Sequence, residues 1–166
     1  AYGYFTDAVD YPTNGTDRFW GKYANKPYLE DNLGSATDIS TAFRTGRAAI
    51  SAHNIADALA QRDIIVAEVK QMQAGMAIHY LNDVKAQVGI MADQSVINHS
   101  MSEALAFLYG IQFISETPDM STAEVMALVD VIEPAVAGFT MSLASINDVI
   151  DQIAEKTGLN DVKDLL

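Results

Sequence analysis

Cysteine is absent from this sequence of 166 residues. Its absence excludes disulfides, thiolate metal ligands and cysteine nucleophiles, and it leaves the redox compartment undecided. Basic side chains are scarce as well, since ten lysines and arginines stand against 22 aspartates and glutamates and give a net charge of −12. Because the basic residues are also scattered, the chain would repel a polyphosphate, and no nucleic-acid partner is expected.

Long hydrophobic runs are missing too. Charged or strongly polar residues interrupt every apolar stretch well before the roughly 20 residues that a bilayer requires, so no transmembrane segment is predicted. The chain starts at Ala1 with AYGYFTDAVDYPTNG, which has neither the charged start nor the apolar run of a signal peptide. We therefore expect a processed or excised chain whose precursor carries an upstream part.

The first 37 residues are rich in Tyr, Gly, Asn, Asp and Pro, which predicts an irregular segment. Many aromatic side chains lie in it, and they are costly to expose to water. Packing of segment 1–37 on the rest of the chain is therefore favoured over an aromatic ligand-binding surface. The aromatic residues are Tyr2, Tyr4, Phe5, Phe19, Trp20, Tyr23 and Tyr28.

From residue 38 onwards, apolar residues recur at helical spacing, and no strand-like alternation of comparable length competes. The prediction is an all-α fold, a single domain in which segment 1–37 packs on a helical bundle of residues 38–166. An up-and-down bundle of four to five helices is the simplest packing of such helices. The local signals are N-caps at Asp38 and Ser145, a capping box from Ser121 to Glu124, an interruption or kink at Pro134 and a C-cap at Gly158.

One helix is predicted to be much longer than the others, running from about residue 56 to about residue 88. Its apolar face is expected to follow a single stripe over about eight turns. The stripe consists of Leu59, Ile65, Val69, Met72, Met76, Leu81 and Val88.

The segment NHSMSEALAFLYGIQF carries the strongest candidate for chemistry. His99 and Glu103 are four residues apart and share a helical face, and an imidazole with a carboxylate suits zinc, iron or copper. His79 and Asp83 repeat this spacing on the preceding helix. If the two helices are antiparallel neighbours, His79 and His99 are allowed to meet but are not required to.

Other interpretations stay open for these residues. A histidine and a carboxylate one turn apart often satisfy each other or the backbone, so a purely structural role competes with metal binding or catalysis. Glu68 and His53 are weaker candidates for the same site. The seven methionines suggest copper, but core packing explains them better.

Three segments, DISTAFRTGRAAISAHN, AGMAIHYLNDV and HSMSEALAFLYGIQF, resemble in this order the carboxy-terminal part of a family of bacterial exported lipoproteins with an imelysin-like helical domain. The resemblance covers residues 17–140, and runs 46–50 and 99–113 are its most specific parts. It implies a helical bundle of the periplasm or outer membrane that is associated with iron or copper acquisition, with His99 and Glu103 at the site. The family signature places His and Glu three residues apart after a glycine, whereas here the spacing is four and Asn98 precedes His99.

Together these observations predict a periplasmic, outer-membrane-associated or secreted binding protein of imelysin-like type, with iron, copper or zinc at His99 and Glu103 and with His79 and Asp83 as further ligands. The alternative is a structural or protein-interaction domain that contacts a cell-envelope protein and has no metal site. A metal-dependent peptidase or hydrolase ranks third, because it needs a third ligand and an open coordination position.

Overall fold

The computed structural model describes residues 1–13, 18–136 and 141–166. Within these ranges the protein is helical without any β-strand, so the predicted all-α bundle is confirmed. None of the described helices combines the length and apolarity that a membrane span requires. The helices are α1 (Tyr2–Phe5), α2 (Phe19–Ala24), α3 (Pro27–Leu33), α4 (Ser35–Ser51), α5 (Ile55–Gly89), α6 (Gln94–Ile111), α7 (Thr122–Val136) and α8 (Leu143–Thr157).

Two compact units make up the chain, Ala1–Met72 and Gln73–Leu166, and α5 contributes residues to both. The first unit contains α1–α4 and the beginning of α5. The second contains the remainder of α5 with α6, α7 and α8. The single-domain organisation with a boundary at residue 37 stays a prediction.

The aromatic amino-terminal segment forms the short helices α1–α3 and packs only in part. The rings of Tyr2 and Phe5 lie 5.3 and 5.7 Å from the ring of Phe43 in α4, and Phe5 is buried. Tyr4 and Phe19, in contrast, are largely exposed. Burial of aromatic surface therefore holds α1 on α4 without requiring every aromatic side chain.

Helix α4 begins at Ser35, three residues before the predicted N-cap at Asp38. Glu30 of α3 takes the capping role, since its Oε2 accepts hydrogen bonds from the backbone N–H groups of Ala36 at 2.7 Å and Thr37 at 3.2 Å. Gly34 adopts φ 69°, a left-handed conformation that lets the chain reverse between α3 and α4. The prediction at Asp38 was wrong because a carboxylate from the preceding helix satisfies these donors.

Helices α5 and α6 pack in antiparallel fashion in the second unit. Nε2 of the buried Gln73 donates to the carbonyl of Phe107 at 2.7 Å, and Nε2 of Gln87 donates to Ser100 Oγ at 2.8 Å. A Cβ built at Gly110 would lie 1.9 Å from Gln73 Nε2, so only glycine leaves room for this amide. The glycine therefore sets how closely the two helices approach.

The ends of α7 and α8 meet through the predicted capping box. Glu124 Oε2 accepts from the backbone N–H and the hydroxyl of Ser121 at 2.8 and 2.7 Å, which confirms the box. Lys156, in the last turn of α8, lies 2.7 Å from the other oxygen of Glu124. This ion pair joins the start of α7 to the end of α8, as an antiparallel arrangement requires.

One prediction at the helix ends of this unit needs a correction and one is confirmed. The N-cap of α8 is Ser142 instead of Ser145, because Ser142 Oγ accepts from the backbone N–H of Ser145 at 3.1 Å. Gly158 ends α8 in a left-handed conformation, as predicted. Pro134 lies inside α7, which continues to Val136.

The final residues are held against α5 by one side chain. Asn82 Nδ2 donates to the backbone carbonyls of Lys163 at 2.8 Å and Leu166 at 3.0 Å. Leu159 and Leu166 are buried, so apolar burial supports the same contact. A single amide thus fixes the turn that follows α8.

Candidate functional site

The structure brings His79 and Asp83 together on α5. His79 Nε2 lies 3.6 Å from Asp83 Oδ2, which is an ion-pair distance when the imidazole is protonated. Both side chains are partly buried, and the ring of Tyr80 lies 5.4 Å from the imidazole. Tyr80 in turn stacks on Phe107 of α6, so this pair lies beside a packed aromatic contact.

His99 and Glu103 share a face of α6 but do not form an ion pair among the described residues. His99 is exposed and Glu103 is partly buried. Next to His99, Ser102 Oγ donates within the helix to the carbonyl of Asn98 at 2.7 Å, and Ser100 Oγ accepts from Gln87 of α5 at 2.8 Å. The two predicted ligands therefore stand side by side without a fixed contact.

Three contacts relate positions along α5 and α6. Gln87 bonds Ser100 and Tyr80 stacks on Phe107, so the numbers of these pairs add to 187, whereas Gln73 bonds the carbonyl of Phe107 and that pair adds to 180. His99 then lies level with positions 81–88 of α5, two to nine residues beyond His79. At 1.5 Å per residue the axial offset of the two histidines is about 3–13 Å. The neighbouring arrangement of His79 and His99 stays a prediction.

Within residues 1–13, 18–136 and 141–166, no group of three His, Cys, Asp or Glu side chains is placed to hold a metal ion. The His79–Asp83 pair offers one nitrogen and one oxygen, a donor set that fits zinc, copper or iron when water or another ligand completes the coordination. The metal site at His99, Glu103, His79 and Asp83 thus stays a prediction.

Glu68 lies in the first unit, on the side of α5 that faces α4. Burial, followed by the nearby charges of Asp38 and Glu30, raises its carboxyl pKa from 4.5 to about 7. Glu68 Oε2 is buried without a hydrogen-bond partner. At neutral pH this carboxyl is therefore divided between its protonated and ionised forms.

His53 has a structural role at the turn between α4 and α5. His53 adopts φ 56°, and its backbone N–H donates to the carbonyl of Ile50 at 3.0 Å. The backbone N–H of Asn54 donates to the carbonyl of Ala49 at 2.9 Å. This is a Schellman motif with a histidine where glycine is usual. Asn54 then caps α5, since its Oδ1 accepts from the N–H of Asp57 at 3.2 Å. The turn folds α4 and α5 into a helical hairpin.

The two helices of this hairpin approach closely next to the turn. A Cβ at Gly46 would lie 3.2 Å from Gln61 Cβ, and Ala49 is buried in the same contact region. Small residues on α4 therefore let the helices pack on each other, but no larger core covers them here. From residue 50 to residue 71 no residue is buried.

An apolar groove of about 470 Å³ opens beside the turn. Its large aliphatic side chains are exposed, with Ile50 67%, Ile55 73% and Leu59 45% accessible. Exposed aliphatic side chains that adjoin each other in this way mark an interaction surface more often than isolated ones do. We call the lining residues the hairpin surface: Ile50, His53, Asn54, Ile55, Ala58 and Leu59.

Sequence reasoning missed the hairpin surface because it assigned Ile50 and Leu59 to the apolar faces of packed helices. Helical spacing identifies a stripe, but it does not show whether another element covers that stripe. One signal was present: Ile50 and Ile55 flank a turn, where only the ends of two helices are available to cover them.

A family model described as a domain of unknown function (DUF4856) matches residues 1–160 of the chain. The matched range includes both units up to the end of α8. No curated protein and no solved structure matches the chain.

Proposed function

The chain belongs to the family of the domain of unknown function DUF4856, and from its surface we propose that it is a binding protein of the bacterial cell envelope that attaches to another protein. The hairpin surface carries this proposal. Ile50 at the end of α4 and Ile55 and Leu59 at the start of α5 are exposed around one groove, and the first 17 residues of α5 include none that is buried. Water contact of this surface is unfavourable, and a protein partner would remove it.

The placement in the cell envelope rests on the resemblance to exported, imelysin-like lipoproteins. The acidic net charge of −12 and the absence of cysteine are compatible with a periplasmic, outer-membrane-associated or secreted protein. Catalysis ranks lower, because the residues that we assign to a binding role form no nucleophile–base or three-ligand arrangement in the described chain.

Photo-crosslinking in the native organism tests the proposal. A photoreactive phenylalanine analogue replaces Ile55 in the full-length protein, and the matched control carries it at Phe113, an exposed apolar residue of the second unit. We expect a covalent adduct of defined mass from position 55 and none from position 113, with its second component identified by mass spectrometry. Equal yields at both positions, or no adduct at position 55, would contradict the proposal.

Metal binding is the second candidate function, and the 3.6 Å contact of His79 with Asp83 supports it. One histidine and one carboxylate on a helical face would hold iron, copper or zinc together with water or a ligand-borne donor. His99 and Glu103 would then form a separate, weaker metal site on α6.

Elemental analysis after metal loading and dialysis tests this candidate with two matched double variants. His79→Ala with Asp83→Asn should lower the affinity at least about tenfold, because both donors are removed. His99→Ala with Glu103→Gln, which changes the same residue types at the same spacing, should leave most of the metal bound. Loss in the second variant alone would assign the site to α6, and retention in both would reject a site at either pair.

A further inference from the structure

We infer that the hairpin surface binds the hairpin surface of a second copy of this chain, so that two α4–α5 hairpins form a four-helix arrangement about a two-fold axis. The inference rests on the proposed function and names the partner. It explains why apolar side chains line an open groove at the end of a two-helix hairpin that has no core of its own.

The size of the exposed hairpin matches what a stable dimer needs. Residues 55–71 form 17 residues of helix, which is about 25 Å of length at 1.5 Å per residue. Two helices side by side make a face about 20 Å wide, so its flat area is about 500 Å², which the relief of the side chains enlarges towards the 800 Å² that each partner of a standard interface contributes. The apolar groove lies at the turn end of this face and supplies its apolar contact.

Charge favours this face over any other for contact between two copies. Residues 44–67 carry three of the ten basic side chains and two of the 22 acidic ones, so this segment has a net charge of +1 and the rest of the chain −13. Two copies that met elsewhere would bring together surfaces of the same strong negative charge. Segment 44–67 is itself close to neutral, so its own contribution to this repulsion is small.

The shape of the surface suits a symmetric contact. In a two-fold interface the same patch is used twice, so each copy must offer both a hole and a side chain to fill it. The hairpin surface has both, because the groove lies between exposed isoleucines at positions 50 and 55. An isoleucine of each copy can enter the groove of the other, as a knob enters a hole between packed helices.

Sedimentation velocity over a range of concentrations, with the full purified chain, tests the inference. We expect the parent to be dimeric and Leu59→Asp to be monomeric, with a dissociation constant raised at least about 100-fold because a carboxylate would be buried at the contact. Phe113→Asp makes the same substitution at an exposed apolar residue outside the hairpin and should remain dimeric. Higher salt should tighten the dimer, since it screens the repulsion between the acidic remainders.

The absence of native cysteine provides a second measurement that does not depend on how Leu59→Asp folds. A single cysteine at Ile55 should form a disulfide-linked dimer under mild oxidation, because a two-fold axis through the surface brings the two copies of this position close together. A single cysteine at Phe113 should not. Efficient crosslinking at position 55 alone supports the inference, and equal crosslinking at both positions overturns it.

A parent that is monomeric up to hundreds of micromolar would overturn the inference. A dimer that Leu59→Asp does not dissociate and that a cysteine at position 55 does not crosslink would overturn it as well. Failure here is distinct from failure of the proposed function. If the parent is monomeric and Ile55 still crosslinks to a different envelope protein in the native organism, the second copy is wrong as the partner and the binding function stands. If the parent is monomeric and position 55 gives no adduct with any protein, both the second copy and the proposed binding function are rejected.

Discussion

The first half of α5, residues 55–71, contains no buried residue, whereas the seven residues that follow, 72–78, are all buried. Both halves belong to one uninterrupted helix, and both are rich in alanine, isoleucine and valine or methionine. The difference lies in what surrounds them. The first half approaches α4 closely at Gly46, and the second packs against α6 in the second unit.

This comparison shows that the apolar pattern of a helix and its burial are separate properties. The stripe predicted along α5 is apolar throughout, but Leu59 is exposed while Met72, Met76 and Leu81 are fully buried. An apolar stripe contributes to stability only where another element covers it. Where nothing in the chain covers it, the same stripe is available for binding.

The largest effect that separates the two halves should come from a matched pair of isoleucines. Ile78 is fully buried and Ile64, fourteen residues earlier on the same helix, is 42% exposed. Ile78→Ala should lower the free energy of unfolding by about 3 kcal/mol, through lost burial and a residual cavity, and Ile64→Ala by less than about 1 kcal/mol. Denaturant titration of the full chain measures both values. Equal losses would show that the first half of α5 is covered after all.

A slightly smaller loss of stability should follow from adding a methyl group at Gly110, between α5 and α6. In Gly110→Ala the new methyl group would overlap the Gln73 amide, so the hydrogen bond to Phe107 must break or the helices must separate. We expect a loss of about 2–3 kcal/mol. Gly89→Ala, where no atom lies within 4 Å, should be neutral or stabilising and is the control. Adding Gln73→Ala to Gly110→Ala should recover part of the loss.

In the first half of α5, ionisation of Glu68 should make the free energy of unfolding depend on pH. Because the folded-state pKa of Glu68 is raised from 4.5 to about 7, the folded chain holds this proton more tightly, and stability falls as pH rises from about 4.5 to about 7. Solvent screening of a half-exposed carboxyl reduces the loss to about 1 kcal/mol. Glu68→Gln should raise the free energy of unfolding at pH 8 by that amount and flatten the profile.

The matched control for this profile is Glu116→Gln, which changes an exposed glutamate in the second unit. It should leave the slope between pH 4.5 and 7 as it is in the parent. A parent whose stability does not change over that interval would contradict the assignment to Glu68.

The smallest effect concerns the cap of α7. Ser121→Ala removes the hydroxyl that bonds Glu124 and should cost about 1 kcal/mol. Hydrogen bonds from Lys156 and Ser121 lower the pKa of Glu124 from 4.5 to about 2, so the contribution of this carboxylate is complete above pH 4.5 and is lost as pH falls towards 2. Melting temperatures of parent and variant at pH 3 and pH 7 measure this. A difference between them that is as large at pH 3 as at pH 7 would argue against the ionised cap.

Local signals predicted the fold well wherever the partner of a residue lies close in sequence. Ser121 with Glu124 and the C-cap at Gly158 are contacts within one turn, and both were confirmed. The N-cap at Asp38 failed because its replacement, Glu30, comes from another helix. Caps supplied across a turn leave no signal in the capped helix itself.

The candidate site was harder to predict, because it depends on register between helices. The spacing of His79 and Asp83 was enough to place them in contact, since both are on one helical face. The distance of His79 from His99 depends on how contacts such as those of Gln73, Gln87 and Tyr80 align α5 with α6, which no spacing within a single helix reveals. The hairpin surface likewise depends on the absence of a cover, and sequence periodicity does not report that.

The side-chain amide of Asn82 donates to the backbone carbonyl of Leu166, which lies 84 positions later in the sequence. Ordering a loop of that length is entropically costly, so a contact of this kind is expected to form after the local helix pairs during folding. Loss of the amide should then shorten the lifetime of the native state while leaving the rate of its formation almost unchanged. Kinetic persistence of the second unit would thus depend on a polar side chain far from the centre of its apolar core.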